Sequence, residues 1–218
     1  MKILCIGYRT WALSIYTNLK KNFPNYKIKI LKKKKNISYK FIKKFDPKLI
    51  LFYGWSWIIN EKIFKNYTSL MLHPSDLPRF RGGSPIQNQI INGVKKSAVT
   101  IFKVNNILDG GPIYKKKKFM LTGGINKIFR RIENIGTNLT IDIIKGKYRI
   151  YNQNLNNSII YKRRSPKDSE IKLNEIKNRS GQYLLDKIQM LEDPYPNAYI
   201  KTKDNKKLLI KLAKLVNN

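Results

Sequence analysis

The chain has 218 residues, 42% of them hydrophobic, which suits one domain around a single sizeable core and argues against wholesale disorder. Its formal charge is +32, from 45 Lys and Arg against 13 Asp and Glu. One cysteine and one histidine exclude an internal disulfide framework and leave no ligand cluster for a metal, so no metal site is expected. The N-terminal apolar run is too short for a signal peptide, and no stretch approaches the ~18 apolar residues a membrane helix needs. The chain therefore reads as cytoplasmic, with no membrane insertion.

The charge is carried mostly by lysine, spread along the chain amid abundant asparagine and isoleucine, a pattern that compositional bias produces without selection for binding. A solvated basic surface is thus the plain reading, ahead of a nucleic-acid surface or the attraction of a phosphorylated substrate. In chain order, residues 2–8 predict a strand, 11–22 a helix, 27–31 a strand and 38–45 a short helix ended by Asp46-Pro47. Residues 48–53 form a nearly continuous apolar strand, as expected where helices cover both sheet faces. A helix over 59–66 and a strand over 69–72 follow. Three prolines and Gly82-Gly83 make 74–85 a rigid, irregular loop.

Beyond it come a helix (86–92), a strand (98–104), a polar turn and glycine-rich loop (105–112), a strand (113–121) and a long helical pattern (124–144) interrupted near Gly136. This alternation predicts an α/β protein with a Rossmann-like, largely parallel sheet flanked by helices. After about residue 150 the rhythm stops. A short strand (158–161), a polar loop-like stretch (162–178), an amphipathic helix (181–191) and two strands (198–202 and 207–212) predict a small C-terminal α+β appendage. The expected division is thus residues 1–150 and 151–218, and an exposed terminal hairpin could pair with a second copy as a homodimer.

The turn after the first strand has only Gly7, so a Gly-x-Gly-x-x-Gly cradle for a dinucleotide is absent. His73 stands where an apolar strand ends, and imidazole exchanges protons readily near neutral pH. Asp109 lies in the glycine-rich loop after the next strand. If the two strands are neighbours, carboxylate and imidazole meet; taken alone, a single histidine at a strand end is more often structural, and Asp-Gly-Gly-Pro is usually a turn.

The segment from His73 to Gln87, HPSDLPRFRGGSPIQ, resembles the signature loop of the folate-dependent formyltransferases, a family that includes methionyl-tRNA formyltransferase, glycinamide ribonucleotide transformylase and the sugar N-formyltransferases. Ile91-Asn92-Gly93, then Ala98 to Ile101, then Leu108-Asp109-Gly110-Gly111-Pro112-Ile113 follow in the family's order and spacing. The resemblance implies the formyltransferase fold over roughly residues 1–145 and transfer of a formyl group from N10-formyltetrahydrofolate to a primary amine. It makes His73 and Asp109 the catalytic candidates, with Asp109 orienting His73. It places the folate between Tyr53-Gly54-Trp55-Ser56 and Asn105-Asn106-Ile107-Leu108. Trp55 and Trp57 have simple packing as an equal alternative.

Ser75, Arg79, Arg81, Gly82, Gly83 and Lys103 are the candidates for substrate contact. One departure stands out. Where the family carries an asparagine two residues before the histidine, this chain has Met71, which cannot donate a hydrogen bond. Losing such a donor costs about 3 kcal/mol of transition-state stabilisation, unless Gln87, Asn88 or a backbone amide replaces it.

For the acceptor, Gly54 to Ile59, Tyr161 to Pro166 and Leu191 to Tyr199 resemble the sugar N-formyltransferases, which implies a nucleotide-linked amino sugar used in surface polysaccharide. The alternatives are a methionyl-tRNA formyltransferase-like or glycinamide ribonucleotide transformylase-like enzyme. Outside this class stand a basic nucleic-acid-binding protein, for which the scattered tyrosines offer no aromatic groove, and a pseudoenzyme weakened at Met71.

Overall fold

A computed structural model describes residues 1–216, and at its centre lies a six-stranded sheet. Strand β1 (Lys2–Ile6) is apolar and buried from Ile3 onward. Helix α1 (Thr10–Asn22) follows, and its Ala12, Ile15, Tyr16 and Leu19 recur at helical spacing to make the face laid on the sheet. Lys20 and Lys21 in its last turn suit the negative end of the helix dipole. Strand β2 (Lys27–Leu31) forms one edge of the sheet and alternates accordingly.

Helix α2 (Tyr39–Phe45) begins at Ser38, whose side chain accepts from the Phe41 N–H at 3.1 Å. It ends at Asp46 in a left-handed conformation, φ 49°, before Pro47. Strand β3 (Leu49–Tyr53) is buried at every position, as its unbroken apolar run requires. Helix α3 (Glu61–Asn66), capped by Asn60, leads to strand β4 (Ser69–His73). The irregular loop contains a two-residue strand, β5 (Arg81–Gly82), and ends in helix α4 (Pro85–Ile91). Strands β6 (Lys96–Lys103) and β7 (Ile113–Met120) and helix α5 (Ile125–Ile144) complete the α/β layer.

The sheet order is β2-β1-β3-β4-β6-β7. The first four strands pair in parallel; β6 is antiparallel to β4, and β7 is antiparallel to β6. Helices α1 and α5 cover one face, with Ile15, Leu19, Leu72, Ile128 and Ile132 in its core. Helices α2 and α3 cover part of the other, over Leu4, Ile6, Ile50 and Phe52.

Helix α5 runs unbroken through Gly136, where an interruption is expected from the sequence. The residue serves close packing instead. A Cβ there would lie 2.7 Å from both Ile15 Cδ1 and Leu72 Cδ1, so glycine lets the helix sit down on the sheet.

The C-terminal segment adds β8 (Ile160–Tyr161), α6 (Leu173–Asn178), α7 (Gly181–Gln189) and the hairpin β9 (Ala198–Lys201) and β10 (Lys207–Ile210). The stretch 162–178 is not simply a loop. It holds a short 3-10 turn, Pro166–Ser169, and then α6, where the Glu175 carboxylate accepts from the Lys172 N–H at 3.0 Å. The segment is tied to the α/β layer: β8 pairs with β5, and Tyr151 bridges Ile113.

Candidate active site

His73 ends β4 on the same sheet face as Met71, two residues earlier, as the period of a strand demands. Thr100 of β6 lies opposite it in register. Because β6 runs antiparallel to β4, the loop after β6 starts at the far end of β4, next to Ser69, whose carbonyl accepts from the Val104 N–H. That loop, 105–111, must therefore fold back over the sheet face to bring Asp109 to His73. Phe102, Leu77, Ile113 and Met71 pack together at its base.

Three sets of hydrogen bonds hold the folded-back loop. The guanidinium of Arg81 donates to the Leu108 carbonyl from Nε at 2.8 Å and from Nη2 at 2.5 Å, and to Ser158 Oγ from Nη1 at 2.9 Å. The Gln153 amide donates to the carbonyls of Asp109 at 3.0 Å and Gly111 at 2.7 Å. Within the loop, the Ile107 N–H donates to Asn105 Oδ1 at 3.0 Å. Asp109 itself sits at φ 48°, a left-handed conformation that Asp tolerates better than most residues.

Asp109 Oδ2 lies 3.6 Å from His73 Nδ1 and accepts from the Gly82 N–H at 2.8 Å. Both side chains are more than nine-tenths buried. His73 Nε2 is 2.8 Å from the Phe80 carbonyl. A carbonyl only accepts, so Nε2 carries a proton and Nδ1 is the nitrogen turned to the carboxylate. The ring is thus fixed by main chain on one side and faces a negative charge on the other. The signature loop that supplies Phe80 is itself pinned: Ser75 Oγ donates to the Arg79 carbonyl, Thr100 Oγ1 to the Ser75 carbonyl, and the Gln89 amide to the Pro74 carbonyl. A side chain at Gly83 would strike the backbone of Arg163, its Cβ lying 2.5 Å from that nitrogen, so glycine admits the C-terminal segment against the loop.

The pair opens on a cavity of about 1060 Å³. Of the sequence-predicted residues, His73, Asp109, Gly54, Trp55, Ser56, Asn105, Asn106, Ile107, Leu108, Gly82 and Gly83 line it. Trp55 and Trp57 lie 4.5 Å apart between ring centroids, and Trp57 is 5.1 Å from Tyr8, whose hydroxyl shares a hydrogen bond with Ser56. Gly54, in the turn after β3, sits where the strand order reverses between β1 and β3, the position at which open α/β sheets hold ligands.

Five predicted residues are placed elsewhere. Tyr53 is fully buried, and its hydroxyl is hydrogen-bonded to Thr140; burial also pushes that hydroxyl well above the ordinary tyrosine range. Ser75 is buried under the signature loop, and Arg81 is the buried clamp on Leu108. Arg79 lies over the Phe80 ring, and Lys103 is exposed. None of the five lines the cavity.

Other lining residues escape a linear reading. Arg9 and Trp11 come from the start of α1, Phe129 from α5, and Tyr195 and Arg163 from the C-terminal segment. Arg9 lies 6.0 Å from the centre of the Tyr195 ring, which is 6.1 Å from Phe129. Ile86 and Gln87 of α4 complete this side. Met71 reaches the cavity between Phe52 and Phe102 without a polar atom to offer beyond its thioether. Of the two side-chain donors considered in its place, Asn88 is committed to the carbonyls of Gly83 at 2.8 Å and Lys162 at 3.3 Å, whereas Gln87 Nε2 has no partner among the described residues.

The cavity suits a flat, largely apolar ligand on the tryptophan side, with main-chain groups of two loops at its edges. Among the described residues, no group of three or more His, Cys, Asp or Glu could hold a metal ion, and no helix is long and apolar enough to cross a membrane.

A family model described as "Formyl transferase" matches residues 16–138. The methionyl-tRNA formyltransferase of Rickettsia prowazekii (strain Madrid E) is 32% identical over 169 residues, covering 75% of this chain and 54% of that one. The chain spans between about a third and a half of the length of the curated relatives it matches. Among solved structures, methionyl-tRNA formyltransferase from Clostridium thermocellum superposes with a TM-score of 0.85 at 30% identity, over 96% of this chain and 97% of that one. Two more distant folds match as well. A sugar N-formyltransferase from Shewanella sp FDAARGOS_354 has a TM-score of 0.76 at 18% identity, over 100% and 99% of the two chains. HypX from Aquifex aeolicus in complex with tetrahydrofolic acid has a TM-score of 0.80 at 18% identity, over 96% and 37%.

Proposed function

The chain belongs to the formyl transferase family, and from that premise we propose that it moves a formyl group from N10-formyltetrahydrofolate to the primary amine of an aminoacyl-tRNA. The observation that carries the transfer chemistry is the buried His73–Asp109 pair opening on the cavity. The donor would supply an electrophilic formyl carbon, and the two cavity loops at Gly54 to Ser56 and Asn105 to Leu108 are the residues that would hold it. The chain's own task is to take a proton from the attacking amine and to keep water away. His73 Nδ1 faces the Asp109 carboxylate at 3.6 Å, so a proton arriving on Nδ1 meets a compensating charge in a site screened from solvent. The main-chain partner on Nε2 prevents the ring from turning away.

The aminoacyl reading of the acceptor rests on chemistry as well as kinship. Trp11, Ile86, Phe129 and Tyr195 give the far side of the cavity an apolar, aromatic wall, which suits a thioether side chain better than a polyhydroxylated ring. The +32 charge would favour a polyanionic partner. The amino sugar expected from the sequence motifs stands as the second reading, favoured by the sugar N-formyltransferase fold that matches both chains over nearly their whole length.

The test is mass spectrometry of methionyl-tRNA, several nucleotide-linked amino sugars and glycinamide ribonucleotide, each incubated with the protein and N10-formyltetrahydrofolate. One formyl group gained by methionyl-tRNA, and absent with His73→Ala, is the expected result. Formylation of a sugar alone would replace the first reading with the second. No formylation of any amine would remove both and leave the pseudoenzyme reading.

A further inference from the structure

The two members of the His73–Asp109 pair are held by one short stretch of backbone. His73 Nε2 donates to the Phe80 carbonyl at 2.8 Å, and Asp109 Oδ2 accepts from the Gly82 N–H at 2.8 Å. Residues 80–82 therefore set where imidazole and carboxylate stand. That stretch is not relaxed. Phe80 sits at φ 57°, in the left-handed region that a bulky side chain rarely occupies. A conformation of this kind persists only where its surroundings over-determine it.

Strand β8, far along the chain, supplies those surroundings. The Tyr161 ring stacks on the buried Phe80 ring, with centroids 4.8 Å apart and planes 18° from parallel. The main chain of the same residue takes the other end of the stretch. Gly82 pairs with Tyr161 across the β5–β8 ladder, and the Tyr161 carbonyl accepts from the Gly83 N–H at 2.7 Å. A Cβ at Gly82 would strike that carbonyl oxygen, so only glycine permits the approach. One residue thus grips the stretch on both sides of Arg81, by its ring at 80 and by its carbonyl at 83. A stacked aromatic pair and a left-handed non-glycine residue are of similar energetic size, so the ring at 161 is large enough to decide the conformation of Phe80.

We propose that Tyr161 is a positioning residue for the transfer. Its ring holds Phe80 in the conformation that presents the carbonyl to His73 Nε2, and its carbonyl seats the glycines whose N–H reaches Asp109. The role rests on the formyl-transfer reading above and not on the choice of acceptor. Without the ring, Phe80 is free to leave the left-handed region. Its carbonyl then turns from Nε2, and the imidazole loses the partner that keeps Nδ1 on the carboxylate. The chemical step slows, while the loops at Gly54 to Ser56 and Asn105 to Leu108 keep their places. Tyr161 also borders the cavity, so this role has to be separated from direct contact with a ligand.

The experiment measures the single-turnover rate of formyl transfer at saturating donor and acceptor, the KM for the acceptor, donor affinity and thermal unfolding. The acceptor is methionyl-tRNA, or a nucleotide-linked amino sugar if that is the amine formylated. Tyr161→Leu should transfer about tenfold more slowly or worse, with KM and donor affinity within about twofold of the parent's. Tyr161→Phe keeps the ring and should restore the rate to within about threefold. Phe80→Leu removes the same stack from its other member, so it carries the test should Tyr161→Leu fold poorly. It should slow transfer to a similar extent, and combining the two substitutions should slow it little further. An unchanged rate in either folded leucine variant, a loss confined to KM or donor affinity, or a Tyr161→Phe as slow as Tyr161→Leu would overturn the proposal and leave formyl transfer standing. A parent protein that formylates neither kind of amine would overturn the transfer reading, and the role of Tyr161 with it.

Discussion

Replacing Asp109 by asparagine separates the charge of this residue from its shape. Asn is isosteric and accepts the left-handed conformation that φ 48° imposes, and its Oδ1 can still take the Gly82 N–H now bound at 2.8 Å. What disappears is the negative charge 3.6 Å from His73 Nδ1. At an effective dielectric of about 20, a full charge pair at that separation is worth about 5 kcal/mol. That is an upper figure for the stabilisation of a protonated His73, since part of it is recovered by reorientation of the surroundings. The expected fall in kcat for Asp109→Asn is therefore about 10³-fold, within the range general acid–base catalysis contributes. Stability should change by less than ~1 kcal/mol, because every main-chain contact of the loop survives. Single-turnover formyl transfer at saturating donor and acceptor, paired with urea unfolding, measures both. Asp109→Ala is the contrasting variant. It loses activity similarly but also leaves the Gly82 N–H unpaired, at a further cost of about 1–3 kcal/mol of stability. A kcat for Asp109→Asn within fivefold of the parent would refute the role of the carboxylate charge and leave Asp109 as a loop-former.

Arg81→Leu should lower kcat more than it raises KM, because the lost donations to Leu108 free the residue next to Asp109; steady-state kinetics and a stability loss of about 2 kcal/mol in urea check it. Gly136→Leu should overpack the contact with Ile15 and Leu72 and cost about 1–3 kcal/mol, seen as a melting temperature several degrees lower with catalysis per folded molecule unchanged. Glu175→Gln probes the tail. Burial works to raise this carboxyl, but the Lys172 N–H, Lys187 and Tyr183 outweigh it and hold the group below the usual value of about 4.3. A depressed carboxylate stabilises above its unfolded value and loses that contribution as pH falls through the folded one. The variant should thus be about 2 kcal/mol less stable at pH 7, where nearly buried Lys187 loses its carboxylate partner, and the gap should close below about pH 4 in thermal melts across pH.

What the sequence could reveal follows from how far apart the cooperating residues lie. His73, the glycines of its loop and Asp109 each carry a local signal: a strand end, a turn that needs a small residue, a glycine-rich run. From the sequence their meeting depends on β4 and β6 being neighbours, which they are, but adjacency alone does not bring them together. The antiparallel direction of β6 was not legible, because an apolar strand of eight residues reads the same in either sense. That direction decides how the site is built. A loop leaving the far end of β4 has to be folded back over the sheet and clamped, and the clamp falls to Arg81 and Gln153. Arg81 reads as a substrate cation in the sequence because exposure is the usual state of an arginine; its burial by Leu108 and Ser158 is a property of the fold-back alone. Gly136 illustrates the opposite error, in which local helix propensity signals a break and tertiary contact with Ile15 and Leu72 supplies the reason for glycine.

The acceptor side of the cavity was the least legible part, and for the same physical reason. Trp11, Ile86, Phe129 and Tyr195 come from three helices and the C-terminal segment, each apolar at a position that packing alone would explain. Aromatic residues at helical spacing look identical whether they close a core or line a cavity mouth. Which of the two a residue does can be recognised only when all of its neighbours are in place. The catalytic candidates were thus readable from chemistry and local geometry, whereas the residues of the aromatic side of the cavity come together only in the folded chain.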